Sequence, residues 1–287
     1  MADKDEIEYL GKPIEARMAE YWCFCPNCDK MYPTTECIRV YMLSEHSKNV
    51  NQLLLNCPDI VTLLVEPGEA KLTCHKAILG FTSEFFDADL YDHFEESQVD
   101  TFRPRKTNII RLPNETPEAA TGFLTWVYTG HIESSTSAEE LWTLGDRLLS
   151  PMFMNEVMSL IFAIYGRHVH WLRAKGRDHA FKRSPPGSKV RKFVCDYVDY
   201  HGPLCPQAIK DCDNKDGMYE RDWLTFIKEG GELVSHMALR NGAKNEPVGW
   251  PKNGFPDPLT CLEQDEYMLD VKTRDIEEFI QGKMRDG

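Results

Sequence analysis

Two short runs of apolar residues, joined by a tight turn, constrain the fold most. Residues 60–65, IVTLLV, are rich in β-branched side chains and predict a strand buried on both faces. The next four residues are Glu-Pro-Gly-Glu, in which Pro67 fixes φ and Gly68 supplies the positive φ of a type II turn. In residues 70–75, AKLTCH, apolar and polar side chains alternate, which predicts a returning strand with one buried face.

Cys74 and His75 stand side by side in that second strand and raise the question of a catalytic pair. A cysteine nucleophile needs a histidine within hydrogen-bond reach. Successive side chains of a strand point to opposite faces, so these two cannot form such a pair with each other. The carboxyl-terminal third also lacks a glycine-rich phosphate loop and the HExxH and GxSxG motifs. The sequence therefore predicts that the protein is not an enzyme.

Helix signals surround a third predicted strand at residues 109–112. Four helices are predicted to begin at Ser83, Thr116, Ser137 and Ser150. Pro117 in the first turn and Gly130 past the end mark the limits of the second of them. Further helices are predicted after Ser188, on both sides of a break at 230–231, and near the carboxyl terminus at 275–284. The order of strand, strand, helices, strand and helices predicts an α+β fold.

The motifs along this stretch resemble those of one family. In chain order they are DIVTL at 59–63, CHKAIL at 74–79, SEFF at 83–86, IRLP at 110–113, FL at 123–124, YTG at 128–130 and the leucine-rich 141–148. In order and spacing they resemble the BTB/POZ domain. The resemblance implies a BTB/POZ fold at residues 51–165, in which a short three-stranded sheet lies with a cluster of helices. A Cys-containing lead-in segment at 1–50 precedes it, and a mostly helical extension follows at 166–287.

The extension narrows the resemblance further. Among BTB proteins, the chain is most similar to those of filamentous fungi, which carry a helical carboxyl-terminal extension with a segment like PPGSKVRKFV, here residues 185–194. In this family the position of His75 is a fold signature at the junction of strand and helix. The resemblance implies a protein-interaction module that acts as an adaptor or scaffold.

The resemblance also implies two kinds of protein partner. BTB proteins that recruit the scaffold of a cullin-based ubiquitin ligase carry a hydrophobic-x-Glu motif, which Phe94-Glu95-Glu96 matches. An exposed Phe94 would fill a pocket on the cullin while Glu96 fixes the orientation; the alternative is that Phe94 packs into its own domain. The second implied partner is another copy of the chain. The residues expected at a dimer contact are Leu53, Leu54, Leu55 and Phe85.

Four cysteines near the amino terminus raise the question of a metal. Cys25 and Cys28 have the CxxC spacing that lets two thiolates bind one Zn²⁺, and Cys23 and Cys37 would complete a Cys₄ structural site. His46 is an alternative ligand. The competing interpretation is a set of free thiols in an irregular segment, with no cofactor at all.

Charge and hydropathy limit the remaining function classes. The net charge of −13 argues against general affinity for nucleic acid, which rests on clustered Lys and Arg. Residues 166–192 are the exception, with nine Lys or Arg and a single acid, Asp178. They predict either a patch for nuclear import or nucleic acid, as in a transcriptional regulator, or a solvated helix continuing the one before it. No apolar run is long enough to cross a membrane, and the amino terminus does not read as a secretory signal, so we expect an intracellular protein of the cytoplasm or nucleus.

Overall fold

A computed structural model gives the fold of most of the chain. It describes residues 22–25, 30–33, 35–66, 70–91, 108–166, 172–204, 206–213, 217–242, 258–259, 264–272 and 274–285. Within these ranges, no helix combines the length and the apolar character that a membrane span requires.

The amino-terminal part consists of a small hairpin and a long helix. Strand β1 (Trp22–Cys25) pairs with β2 (Lys30–Pro33) in antiparallel fashion, with Cys23 opposite Tyr32. Helix α1 (Thr35–Asn56) follows. His46 on this helix donates from Nε2 to the carbonyl of Val127, 3.1 Å away, and so attaches α1 to the body of the fold.

A three-stranded sheet forms one layer of the fold. Its central strand is β3 (Ile60–Val65), flanked by β4 (Ala70–His75) and β5 (Ile109–Leu112). Strand β4 runs antiparallel to β3, which confirms the predicted hairpin, and β5 runs parallel to it. Val61, Leu63 and Val65 face the core. Burial of β3 on both faces was predicted for the whole strand, but Ile60 at its start is exposed and only Leu64 is buried on the second face.

Among the described residues, five further helices belong to this half of the chain. They are α2 (Lys76–Thr82), α3 (Glu84–Tyr91), α4 (Pro117–Thr129), α5 (Ala138–Arg147) and α6 (Pro151–Gly166). Ser83, Thr116 and Ser137 each accept a hydrogen bond from a backbone N–H in the first turn, as predicted for N-caps. Gly130 ends α4 with φ at 71°, in the left-handed region that glycine adopts at low cost.

The carboxyl-terminal part is helical, as predicted. Its elements are α7 (Ala174–Asp178), a π-helical turn (His179–Arg183), α8 (Lys189–His201), α9 (Pro206–Asp213), α10 (Met218–Glu229), α11 (Glu232–Gly242), a 3₁₀ turn (Gln264–Tyr267) and α12 (Ile276–Arg285). Ser188 caps α8, and the break at Gly230 and Gly231 separates α10 from α11. One of the two interpretations of the basic stretch, a single helix that continues α6, is wrong, because the described residues 172–173 are not helical and α7 begins at Ala174.

The core is continuous between the two parts. Tyr165, at the end of α6, packs its ring at 5.6 Å from Phe193 and 4.8 Å from Tyr197, both on α8. Trp223 of α10 is fully buried in the same core and donates from its indole nitrogen to the carbonyl of Leu172. The extension therefore shares a core with the sheet-containing part.

Candidate functional site

The junction of β4 and α2 holds the Cys74–His75 pair. Tyr128 of α4 reaches this junction, and its hydroxyl oxygen accepts from the backbone N–H of His75 at 3.1 Å and lies 2.9 Å from Nδ1 of the same residue. Cys74 is 2% exposed, and burial raises the pKa of its thiol to about 11. A thiol of this kind stays protonated near neutral pH and is a poor nucleophile. Both side chains thus serve the fold.

The surface of α2 and α3 carries a contact with the far end of the chain. We call it the α2–α3 face and define it by Gly80, Phe81, Asp87 and Tyr91. Helix α12, from the far end of the chain, lies on this face and also contacts α1. Residues almost 190 positions apart are therefore neighbours.

An aromatic cluster forms the apolar part of the contact. The ring of Phe279 on α12 meets Phe81 edge to face at 5.4 Å and Tyr91 at 6.4 Å. Gly80 makes room for it, since a Cβ at this position would lie 3.0 Å from a ring carbon of Tyr91 and 3.4 Å from one of Phe279. Ile280, the next residue of α12, is buried as well.

Asp87 forms the polar part of the contact by pairing with two cations. Its carboxylate oxygens lie 3.1 Å from Nη1 of Arg274 and 2.7 Å from Nζ of Lys283. Lys283 is only 7% exposed at its side chain, and its ammonium lies 4.0 Å from the centre of the Tyr91 ring. Arg274 also donates to the carbonyl of Gly80, which supplies a cation near the end of α2, where that helix has no basic residue of its own.

Two buried hydroxyl groups attach α2 and α3 to α5 and α6. Ser83, between the two helices, donates to the carbonyl of Leu148. Ser150, between α5 and α6, donates to the carbonyl of Thr82 at 2.6 Å. Both hydroxyl groups thus connect the α2–α3 junction with the α5–α6 junction. Ser83 also caps α3. Helix α3 is consequently held on two sides.

The residues predicted for a dimer contact lie in different environments. Leu53 is 1% exposed and belongs to the domain's own core, whereas Leu55 is 84% exposed. Leu54 and Phe85 are partly buried and pack against the core. Of the four, Leu55 therefore offers the largest free apolar surface.

The other predicted site residues fall largely outside the described part of the chain. Phe94 and Glu96 lie outside it, as does Cys28. Cys23, Cys25 and Cys37 are described only in their backbone, on β1 and α1. The ranges that the structure describes contain no cluster of side chains suited to hold a metal ion. Zinc binding by the four cysteines stays a prediction, and His46 is already engaged with Val127.

Several basic side chains of residues 166–192 are used inside the molecule. Arg191 is buried and donates to the carbonyl of Phe181 and to Glu232. Arg177 is buried with its guanidinium 3.8 Å from the centre of the Phe226 ring. Lys182 pairs with Asp178, Lys189 donates to the carbonyl of Glu266, and Lys192 pairs with Asp196 and Glu266. The charges that remain for a ligand are fewer than the sequence alone indicates.

Sequence reasoning missed the residues that join α12 to α3. Asp87, Arg274 and Lys283 are ordinary charged residues, and no local pattern marks them. A helix was predicted at residues 275–284, but its apolar side was not considered. The spacing of Ile276, Phe279 and Ile280 is the available signal, since apolar residues three and four positions apart mark a helix side that needs a partner.

The comparison with protein families agrees with the geometry. Residues 50–162 match the family model of the BTB/POZ domain. The chain contains a BTB/POZ domain. The three-stranded sheet, the helices α2 to α6 and the α2–α3 face all belong to it. BTB/POZ domains typically act as modules for protein interaction. A comparison with curated proteins finds no match, so the likeness to fungal BTB proteins stays a prediction.

The buried thiol of Cys74 predicts a specific dependence of stability on pH. Its pKa is raised from an ordinary 9.0 to about 11 in the folded BTB/POZ domain, so the unfolded chain releases this proton first. The stability due to this shift is complete below the unfolded pKa and is lost as the pH rises through the folded one. We expect the free energy of unfolding of Cys74→Ala to fall less than that of the unchanged protein between about pH 8.5 and 11, by on the order of 2 kcal/mol.

Urea unfolding at a series of pH values measures this difference. Cys74→Ala also loses packing, which lowers the free energy of unfolding by the same amount at every pH. Comparing only the slopes of unfolding free energy against pH removes this constant difference. Parallel curves for the two proteins would contradict the account.

Proposed function

We propose that this protein is a self-associating BTB adaptor that recruits substrates to a cullin-based ubiquitin ligase. The observation that carries the proposal is the BTB/POZ domain at residues 50–162, together with the hydrophobic-x-Glu spacing of Phe94-Glu95-Glu96. An aromatic anchor beside a carboxylate is the usual chemistry of a small, strong contact in a protein interface. In this proposal the protein acts in the cytoplasm or nucleus.

The setting of α3 supports the docking proposal. The motif begins three residues after α3 ends at Tyr91. Helix α3 is fixed by Ser83 at its start and by the pairing of Asp87 with α12 in its middle. A rigid base lowers the entropy that a contact segment loses on binding.

The shared core supports a role for the extension in holding a substrate. Substrate recognition in this proposal belongs to residues 166–287. Because Tyr165, Phe193 and Tyr197 form one aromatic cluster across the boundary, a substrate bound to the extension would keep a defined orientation relative to the BTB/POZ domain. A ligase adaptor needs this property to present its substrate.

The surface of α1 supports self-association. Leu55 is exposed on α1, and Leu54 beside it is partly exposed. An isolated exposed leucine is common on protein surfaces, but this one occupies the helix that the family resemblance implies for dimer contact.

The alternative role as a nuclear regulator has weaker support. It relies on the basic stretch, in which Arg177 and Arg191 are buried and three lysines contact partners within the chain. Binding of nucleic acid needs a set of free cations, and its affinity would fall steeply with salt. The absence of any salt-sensitive retention on DNA would exclude binding of nucleic acid through this stretch and leave only its use for nuclear import.

Calorimetric titration with the amino-terminal domain of a cullin tests the docking proposal. We expect the unchanged protein to bind with a Kd of about 1 μM or tighter, and Phe94→Asp combined with Glu96→Arg to lose about 100-fold or more, because both anchors are removed. A matched control introduces the same two new residues at the exposed Leu239 and Glu229 of the extension, as Leu239→Asp with Glu229→Arg. Failure of the unchanged protein to bind, or equal loss in the control, would rule out docking through this motif.

Analytical ultracentrifugation tests self-association separately. We expect the unchanged protein to form dimers at micromolar concentration, and Leu55→Asp to weaken them about tenfold or more, since a charge replaces a buried apolar contact. Leu239→Asp, at an equally exposed leucine on α11, should leave the dimer unchanged. A protein that sediments as a monomer at all concentrations would refute this part of the proposal.

A further inference from the structure

Helix α12 has the features of a ligand held by the BTB/POZ domain. It spans only ten residues, Ile276–Arg285, and isolated helices shorter than about 12–15 residues are marginal in water. Its own local support is the Asp275 side chain, which accepts from the backbone N–H of Glu278. Most of the stability of α12 must therefore come from the face on which it lies.

The α2–α3 face recognises α12 through few but distinct features. Gly80 leaves the space that Phe279 occupies between Phe81 and Tyr91. Asp87 supplies the negative charge that pairs with Arg274 and Lys283. Phe279 and Lys283 are four residues apart and thus lie on the same side of the helix. The face consequently fits an aromatic side chain followed by a lysine one turn later, with a basic residue just before the helix.

The attachment of α12 is separate from that of the segment before it. Leu269 is fixed by Asn155 of α6, which donates to its carbonyl and accepts from its N–H. Tyr267 is buried and donates to Asp196 of α8. Between these anchors and Arg274, residues 270–272 are exposed. Release of α12 would therefore leave the preceding contacts in place.

We propose that the α2–α3 face is a helix-binding groove, and that α12 is an internal ligand which occupies it until a helix of a partner protein replaces it. The partner helix carries a basic residue, an aromatic residue in the following turn and a lysine four positions later. This inference goes beyond the cullin proposal and does not depend on it, since it concerns Gly80, Phe81, Asp87 and Tyr91, not Phe94 and Glu96. An internal ligand acts at an effective concentration of the order of millimolar, so a partner must bind tightly or arrive at high local concentration.

A full-length variant with a weakened internal ligand tests the groove. In Phe279→Ala with Lys283→Glu, here the released variant, α12 loses its aromatic anchor and one ion pair while the groove is unchanged. The probe is a fluorescein-labelled synthetic peptide of residues 274–285, followed by fluorescence anisotropy. We expect it to bind the released variant at least about tenfold more tightly than the unchanged protein, in which α12 competes.

Two further comparisons identify the chemistry of the groove. Adding Asp87→Asn to the released variant should weaken the peptide about tenfold, because the partner of both cations is removed. A second peptide retains only Arg274, Phe279, Ile280 and Lys283, with alanine or glutamate elsewhere. It should bind the released variant within about threefold of the native peptide, because the proposal needs only these side chains.

Three results would overturn the inference. The first is a failure of both peptides to bind a released variant that keeps the circular dichroism spectrum of the unchanged protein. The second is a released variant that forms dimers which Asp87→Asn abolishes, since the occupant would then be a second copy and not a partner protein. If the released variant does not fold, the inference is tested by hydrogen exchange of the unchanged protein in the presence of excess second peptide. Unaltered deuterium uptake at residues 274–285 is the third result that would overturn the inference, whereas raised uptake there supports displacement of α12 by the peptide.

Discussion

Two buried carboxylates at the start of α5 connect the BTB/POZ domain to its extension. Glu139 is 6% exposed and accepts a hydrogen bond of 2.6 Å from the hydroxyl of Tyr165, while Glu140 is 3% exposed and lies 3.3 Å from Nε2 of His179. Glu140 also accepts from Thr116 of α4. A buried carboxylate is tolerated only where it is paired, and the amino-terminal end of a helix adds a favourable dipole. These contacts hold α4, α5, α6 and the π-helical turn together.

Glu139 also limits how closely α7 of the extension approaches the BTB/POZ domain. Gly176 of α7 lies against Glu139, and a Cβ there would sit 2.8 Å from the carboxylate. Tyr165, which Glu139 orients, starts the aromatic cluster with Phe193 and Tyr197. Burial, followed by the neighbouring Glu139, raises the pKa of Tyr165 well above its usual range, so its hydroxyl stays a donor. Polar contacts thus set the geometry, and the aromatic rings bury the surface around it.

Local signals were sufficient to predict the elements but not their long-range contacts. The β3–β4 hairpin, the third strand and the caps at Ser83, Thr116 and Ser137 follow from patterns that extend over six residues or fewer, and all are confirmed. The pairing of Asp87 with Arg274 depends on tertiary packing across 187 positions, which no local pattern encodes. The leucines at 53–55 show that a local run of apolar residues does not tell which of them is buried. Consecutive helical residues are about 100° apart, so Leu53 faces the core while Leu55 faces solvent.

Native-state hydrogen exchange with mass spectrometry, at increasing urea concentration, tests most directly whether the BTB/POZ domain and its extension form one cooperative unit. If the buried carboxylates connect them as described, the amides of α8 should open with the same free energy and the same urea dependence as those of α5 and α6. Opening of α8 at low urea, while α5 and α6 stay protected, would show that the extension unfolds by itself and would contradict the account.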